Sequence, residues 1–160
     1  MGISISQSEY NALVQRGLLQ PHHNMGQRTG VNGRILLTIF GEPIAKPRMT
    51  QRDKWAKRPC VLRYGEWCDR ARAVAGIMPP SDQIAEIEIW TFFEPPVSWS
   101  KKRRLESIGL KHRTKPDFDN LAKAVVDALW KEDSGIADAV VRKRWSWSAR
   151  VEIAITLEKT

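Results

Sequence analysis

Apolar positions along the chain fall into short runs of differing period. RILLTIF (residues 34–40) is a short apolar run of strand type. GEWCDRARAVAGIM (residues 65–78) sets Trp67, Ala71, Val74 and Met78 on one helical face, and the Pro79–Pro80 pair ends it. In IAEIEIWTFF (residues 84–93) Ile87, Ile89 and Phe93 alternate with Glu86 and Glu88, which predicts a strand with one buried face. PPVSWSKKRRLESIG (residues 95–109) reads as a turn and a short basic helix stopped by Gly109. AVVRKRWSW and RVEIAITLE (residues 139–147 and 150–158) read as strands, the second with Val151, Ile153, Ile155 and Leu157 on one face. Their close spacing predicts an antiparallel hairpin around Ser148. The order β, α, β, α, α, β, β neither clusters nor strictly alternates its strands. It predicts an α/β fold of the α+β kind, a mixed β-sheet with helices packed on it.

Residues 1–34 read as an appendage to a domain spanning residues 35–160. SQSE (residues 6–9) matches a capping box, and Tyr10, Leu13 and Val14 allow a short helix ending near Gly17. QPHHNMGQRTGVNG (residues 20–33) reads as a flexible linker rich in turn formers.

The remaining helix has the richest pattern. Across residues 120–131, Leu121, Ala124, Val125, Ala128 and Leu129 cover one side, and Ala122, Val126 and Trp130 extend the apolar surface around the other. A helix apolar over most of its circumference is buried against more than one surface. The second surface is either another part of the chain or a second protomer. Only a narrow polar stripe is left: Asn120, Lys123, Asp127 and Lys131.

KPDFDN (residues 115–120) precedes this helix and carries Asp117 and Asp119 two residues apart. Aspartate is a common N-cap, so capping alone is one reading. A cap needs only one carboxylate, however, and in an extended segment residues two apart point the same way. Asp138 stands at the mouth of the following strand and can return to the pair if that strand runs beside the helix. Asp133 competes for that third place but sits mid-turn, where aspartate is a turn former. Three hard oxygen ligands without His or Cys suit Mg²⁺, with Mn²⁺ able to substitute.

The charge balance adds a partner. Lys plus Arg number 26 against 18 acids, a net charge of +8, which suggests a polyanion such as nucleic acid. Residues 46–72 hold nine Lys or Arg against three acids, and residues 101–115 hold seven against one. Acids inside such a frame fit phosphodiester chemistry, because the cations offset the repulsion between carboxylates and DNA. Lys46 and Arg48, stiffened by Pro47, are backbone-contact candidates, as are Lys101, Lys102, Arg103, Arg104 and Lys115. Of the seven tryptophans, Trp67 and Trp90 read as core and Trp130 as interfacial. Trp55, Trp145 and Trp147 lie among cations, where they either pack or stack on bases. Cys60 and Cys68 lack CxxC spacing, and His22, His23 and His112 form no ligand pattern, so no zinc site is expected. No segment reads as a leader or a membrane span, and a cytoplasmic chain is expected.

KPDFDNLAKAVVDAL followed by ADAVV resembles the RusA family of Holliday-junction resolvases, and GEPIAKPRMTQRDKW and PPVSWSKKRR are similar to its phage-type members. The likeness covers roughly residues 35–157. It implies bacterial or phage origin and a magnesium-dependent homodimer that nicks four-way DNA junctions symmetrically, with no small-molecule cofactor. By position, the catalytic acids of that family fall on Asp117, Asp119 and Asp138, and its helix lysine on Lys123. Two departures stand out: Ala137 replaces an acid often found beside the third aspartate, and the appendage has no counterpart in shorter members. A branched-DNA binder without catalysis and a magnesium nuclease preferring flaps are the alternatives.

Overall fold

The computed structural model describes residues 25–159 apart from Lys57; the short helix expected within residues 6–17 lies outside the described residues. Strands β1 (Gly26–Val31) and β2 (Arg34–Phe40) form an antiparallel hairpin in which Val31 pairs with Arg34. The two residues between them, Asn32 and Gly33, have φ of 47° and 75°. Positive φ at both central positions matches the twist of a two-residue hairpin, and Asn-Gly is the dipeptide that adopts it most readily. The linker expectation is therefore corrected over residues 26–33, which belong to the sheet.

The other elements are α1 (Pro59–Ala75), β3 (Ile84–Phe93), α2 (Lys101–Ser107), α3 (Phe118–Leu129), β4 (Ala139–Trp145) and β5 (Arg150–Leu157), with single 3-10 turns at Gln51–Lys54 and Ser81–Gln83. The sheet order is β1-β2-β5-β3-β4. Only the β3–β4 pair is parallel, so the expected mixed sheet is present. The expected β4–β5 hairpin is not. β3 lies between those strands, pairing parallel with β4 and antiparallel with β5. The side chains give the reason. β5 buries Val151, Ile153 and Ile155 and takes an interior place, whereas β4 carries Arg142, Lys143 and Arg144, which suit a sheet edge.

α1 begins a turn and a half earlier than the apolar face alone suggests, because Pro59 occupies the first helical turn, where no backbone donor is needed. It ends at Gly76, whose φ is 61°. α1 and α3 pack on each other through Ala71, Ala75, Ala124 and Ala128, all buried. Together they cover Leu37, Ile39, Ile87, Ile89, Val151, Ile153 and Ile155 of the sheet. Trp67 is in this core as expected.

Two tryptophans are placed differently from expectation. Trp130 is not interfacial but buried, with Nε1 donating to the carbonyl of Pro79 at 2.8 Å. Trp90 is half-buried on the opposite sheet face, under the guanidinium of Arg142 at 4.7 Å. The second apolar stripe of α3 is partly taken up within the chain, since Ala122 and Val126 pack, half-buried, against the same core. Among the described residues no helix is long and apolar enough to cross a membrane.

Candidate active site

The start of α3 decides what its acids can do. Asp117 is the N-cap residue, extended at φ −70° and ψ 146°, and its main-chain carbonyl accepts from Leu121 N at 3.2 Å. Its side chain makes no capping hydrogen bond. The backbone thus starts the helix while the carboxylate stays free, which removes the capping-only reading of Asp117. Asp119 lies in the first turn, where the partial positive charge of the helix N-terminus favours an anion. Both carboxylates are exposed and have no hydrogen bond or ion pair among the described residues. Lys123, one turn further, is exposed on the same terms.

β4 packs beside α3, as a returning third acid requires. Asp138 immediately precedes β4, and its carbonyl accepts from Ile87 N at 3.0 Å, opening the parallel ladder. Among the described residues no three Asp, Glu, His or Cys side chains form a metal-holding group, and Asp138 stays the candidate for the third place. Magnesium commonly takes one or two carboxylates and completes its shell with waters and substrate phosphate. Asp117 and Asp119, hard oxygen donors without other partners among the described residues, are of the kind that requirement asks for. Asp133 serves a turn, its carbonyl accepting from Ile136 N at 3.0 Å.

Two residues beside the turn before Asp117 carry no functional role in the sequence reading. On β4, Lys143 lies beside the buried Thr91, in phase with Val141 and Trp145, on the core-facing side of the strand. Its Nζ donates to the carbonyls of Thr114 and Pro116, in the turn that leads to Asp117. Burial pulls this ammonium below its ordinary value, and the Asp117 carboxylate acts against that pull. His112 is buried with ring centroids of Phe93 and Trp145 each 4.2 Å away. Its Nε2 is 3.3 Å from the Thr114 hydroxyl, and its Nδ1 has no hydrogen-bond partner among the described residues. Burial, then the Lys143 charge, push the imidazole down to about 4. The signal available beforehand was a lysine at an inward position of a strand, two residues from apolar neighbours on either side.

The cationic candidates divide by what they touch. Lys46 is tied to α3 twice: its amide donates to the Asn120 carbonyl at 3.1 Å, and its ammonium pairs with Asp127. Arg48 is exposed, with its guanidinium unpaired among the described residues. Asp53 holds the same loop by binding Arg58 and the Thr50 amide, and that bonding keeps its carboxyl well below the usual range. On α2, Ser100 caps through its hydroxyl, which accepts from Arg103 N at 3.3 Å. Lys101, Lys102 and Arg103 are exposed, and Lys102 lies 3.9 Å from Glu106. Arg103 lies 3.9 Å from the Trp99 ring centroid and Arg104 5.4 Å from that of Trp147. Lys115 is exposed directly before the acids. Trp55 and Trp147 are exposed, at 77% and 44%, and so are open to a base, whereas Trp145 packs on His112 and Trp99. Cys60 and Cys68 are both free thiols, and burial pushes that of Cys68 up.

Comparison with known proteins places the chain in a family. The family model described as Endodeoxyribonuclease RusA matches residues 41–156. A protein of Bacillus subtilis (strain 168) described as the uncharacterized protein YqaN is 32% identical, the match covering 76% of this chain and 94% of the relative. The matched region runs from the turn after β2 to the end of β5 and contains both acids of the α3 mouth, Asp138 and Lys143. The chain belongs to the RusA endodeoxyribonuclease family.

Proposed function

We propose that this chain is a magnesium-dependent endonuclease that resolves four-way DNA junctions by paired symmetric nicks, acting as a homodimer. The observation that carries the reading is the free carboxylate pair at the mouth of α3, released from capping and framed by exposed cations, in a chain of this family.

Asp117 and Asp119 would hold Mg²⁺, with Asp138 the third candidate. When bound there, the ion would supply a polarised water and positive charge beside the scissile phosphate. The chain's own residues supply the rest. The exposed cations of α2, with Arg48 and Lys115, draw a phosphodiester towards an acidic site that would otherwise repel it. Lys123, one turn below Asp119, offsets negative charge gathering at phosphorus. Two nicks placed symmetrically across a two-fold junction require two such sites, which a two-fold dimer provides.

The deciding experiment incubates purified protein with end-labelled four-way junction, flap and linear duplex, with and without Mg²⁺. Symmetric nicking of the junction alone, dependent on the ion, is the expected result; preferential cutting of the flap identifies the other nuclease class. A second reading, a binder of branched DNA without catalysis, draws on Ala137 and on the lack of a three-acid group among the described residues. Tight junction binding with no cleavage in Mg²⁺ or Mn²⁺ would establish it instead.

A further inference from the structure

We propose that Lys143 is the positioning residue of this site, clasping the turn that delivers Asp117. The inference rests on the reading of Asp117 and Asp119 as the catalytic pair.

Residues 109–112 lie along the outer edge of β4. Gly109 N donates to the Trp145 carbonyl at 2.9 Å, Trp145 N to the Leu110 carbonyl at 3.0 Å, and His112 N to the Lys143 carbonyl at 3.1 Å. Lys111 and Arg144 form the matching antiparallel bridge. Beyond His112 the chain leaves the strand and turns towards α3, and here backbone pairing with β4 ends. The Lys143 side chain takes over, donating to the carbonyls of residues 114 and 116. One residue therefore grips the segment with its main chain at 112 and with its ammonium at 114 and 116.

The chemistry of the side chain suits this task. An ammonium has three donors on one atom and can converge on two carbonyls that face the same point. Lys143 reaches them along a half-buried stem, so the holding point is set by the sheet and not by a mobile surface side chain. Its charge also faces Asp117, with no salt bridge between them to occupy the carboxylate. Catalytic groups misplaced by about an ångström can lose on the order of a hundredfold in rate, so a clasp one residue from Asp117 has leverage over catalysis.

The test compares Lys143→Met, Lys143→Gln and Lys143→Arg with wild type and with Asp117→Asn. Three readouts are taken: single-turnover junction cleavage at saturating protein and Mg²⁺, junction affinity in Ca²⁺, and hydrogen exchange of the peptide spanning residues 113–119. Lys143→Met is expected to slow cleavage by roughly ten- to a hundredfold. Junction affinity should change by less than about twofold, because no phosphate contact is lost. Exchange should quicken in residues 113–119 and not in the rest of α3. Lys143→Arg, which keeps charge and donors, should recover most of the rate.

A wild-type rate in Lys143→Met overturns the proposal, and so does a rate loss matched by an equal loss of affinity, which would make Lys143 a phosphate contact. If Lys143→Met does not fold, Lys143→Gln makes the same comparison; if neither folds, Lys143 is a folding residue and the proposal fails. The Asp117→Asn arm separates the two levels. Full cleavage by Asp117→Asn removes the catalytic reading itself, whereas an inactive Asp117→Asn beside a fully active Lys143→Met removes only the positioning role.

Discussion

At the mouth of α3 the main chain of Asp117 caps the helix and its side chain is left over. This division of labour is what makes the acid pair available for chemistry. Asp117→Asn and Asp119→Asn should each reduce cleavage more than about a hundredfold while junction affinity holds or improves, since each removes a charge that repels DNA. Asp138→Asn should behave alike if Asp138 completes the site, and Asp133→Asn should cleave as wild type because its carbonyl, not its carboxylate, serves the turn. Lys123→Ala belongs to the same series, with a loss on the order of a hundredfold at saturating protein and little change in binding. Single-turnover cleavage beside a binding titration checks all five. A different measurement applies to His112. Its imidazole is held near 4, against 6.5 in the unfolded chain, by burial among Phe93 and Trp145 and by the Lys143 charge. The unfolded state therefore binds the proton first. The stability contributed by neutral His112 is full above about pH 6.5 and is lost as pH falls towards 4. Urea unfolding midpoints at pH 7, 5.5 and 4.5 should fall with acidification in wild type and fall less in His112→Gln.

At the scale of elements, period was a good guide to type and a poor one to partner. The alternation of β3 and β5 and the apolar face of α3 were legible because each is written in residues a few positions apart. The β1–β2 hairpin was signalled by Asn32-Gly33, but β1 itself, GQRTGV, carries no alternating apolar pattern to mark it as a strand. It reads as a linker until β2 is seen to offer it an edge. The β4–β5 hairpin failed for the opposite reason: two adjacent strands with a short connection pair by default, and only β3, some fifty residues earlier, could displace that pairing. A tight approach between two distant turns is equally invisible along the chain. A Cβ at Gly135 would lie 2.4 Å from Asp82 N and 2.7 Å from Ser81 C, all backbone that cannot swing aside. Gly135→Ala should cost roughly 1–3 kcal/mol, read as a lowered urea midpoint with an unchanged slope. An unchanged midpoint would show that the two turns can separate freely.

For the whole molecule, the proposed dimer has less of the apolar surface the sequence suggested, because Trp130 is buried and Ala122 and Val126 are partly buried against the chain's own core. Sedimentation at micromolar concentration should still give the mass of two chains, since paired nicks demand two sites; a monomer would defeat the symmetric mechanism and leave single nicking. Net charge, the basic segments, the mixed α+β class, the helix behind the acids and the resemblance carried by KPDFDNLAKAVVDAL were all determined by the sequence alone, being either sums over the chain or patterns within one turn or one strand. Tertiary structure decided which cations remain open to DNA, taking Lys46 into a pair with Asp127 and leaving Arg48 to solvent. It also decided that β4 stands at an edge and that Lys143 reaches the turn before Asp117. These are contacts between segments tens of residues apart, chosen by competition among all the surfaces the chain must bury at once, and no local window holds the competitors.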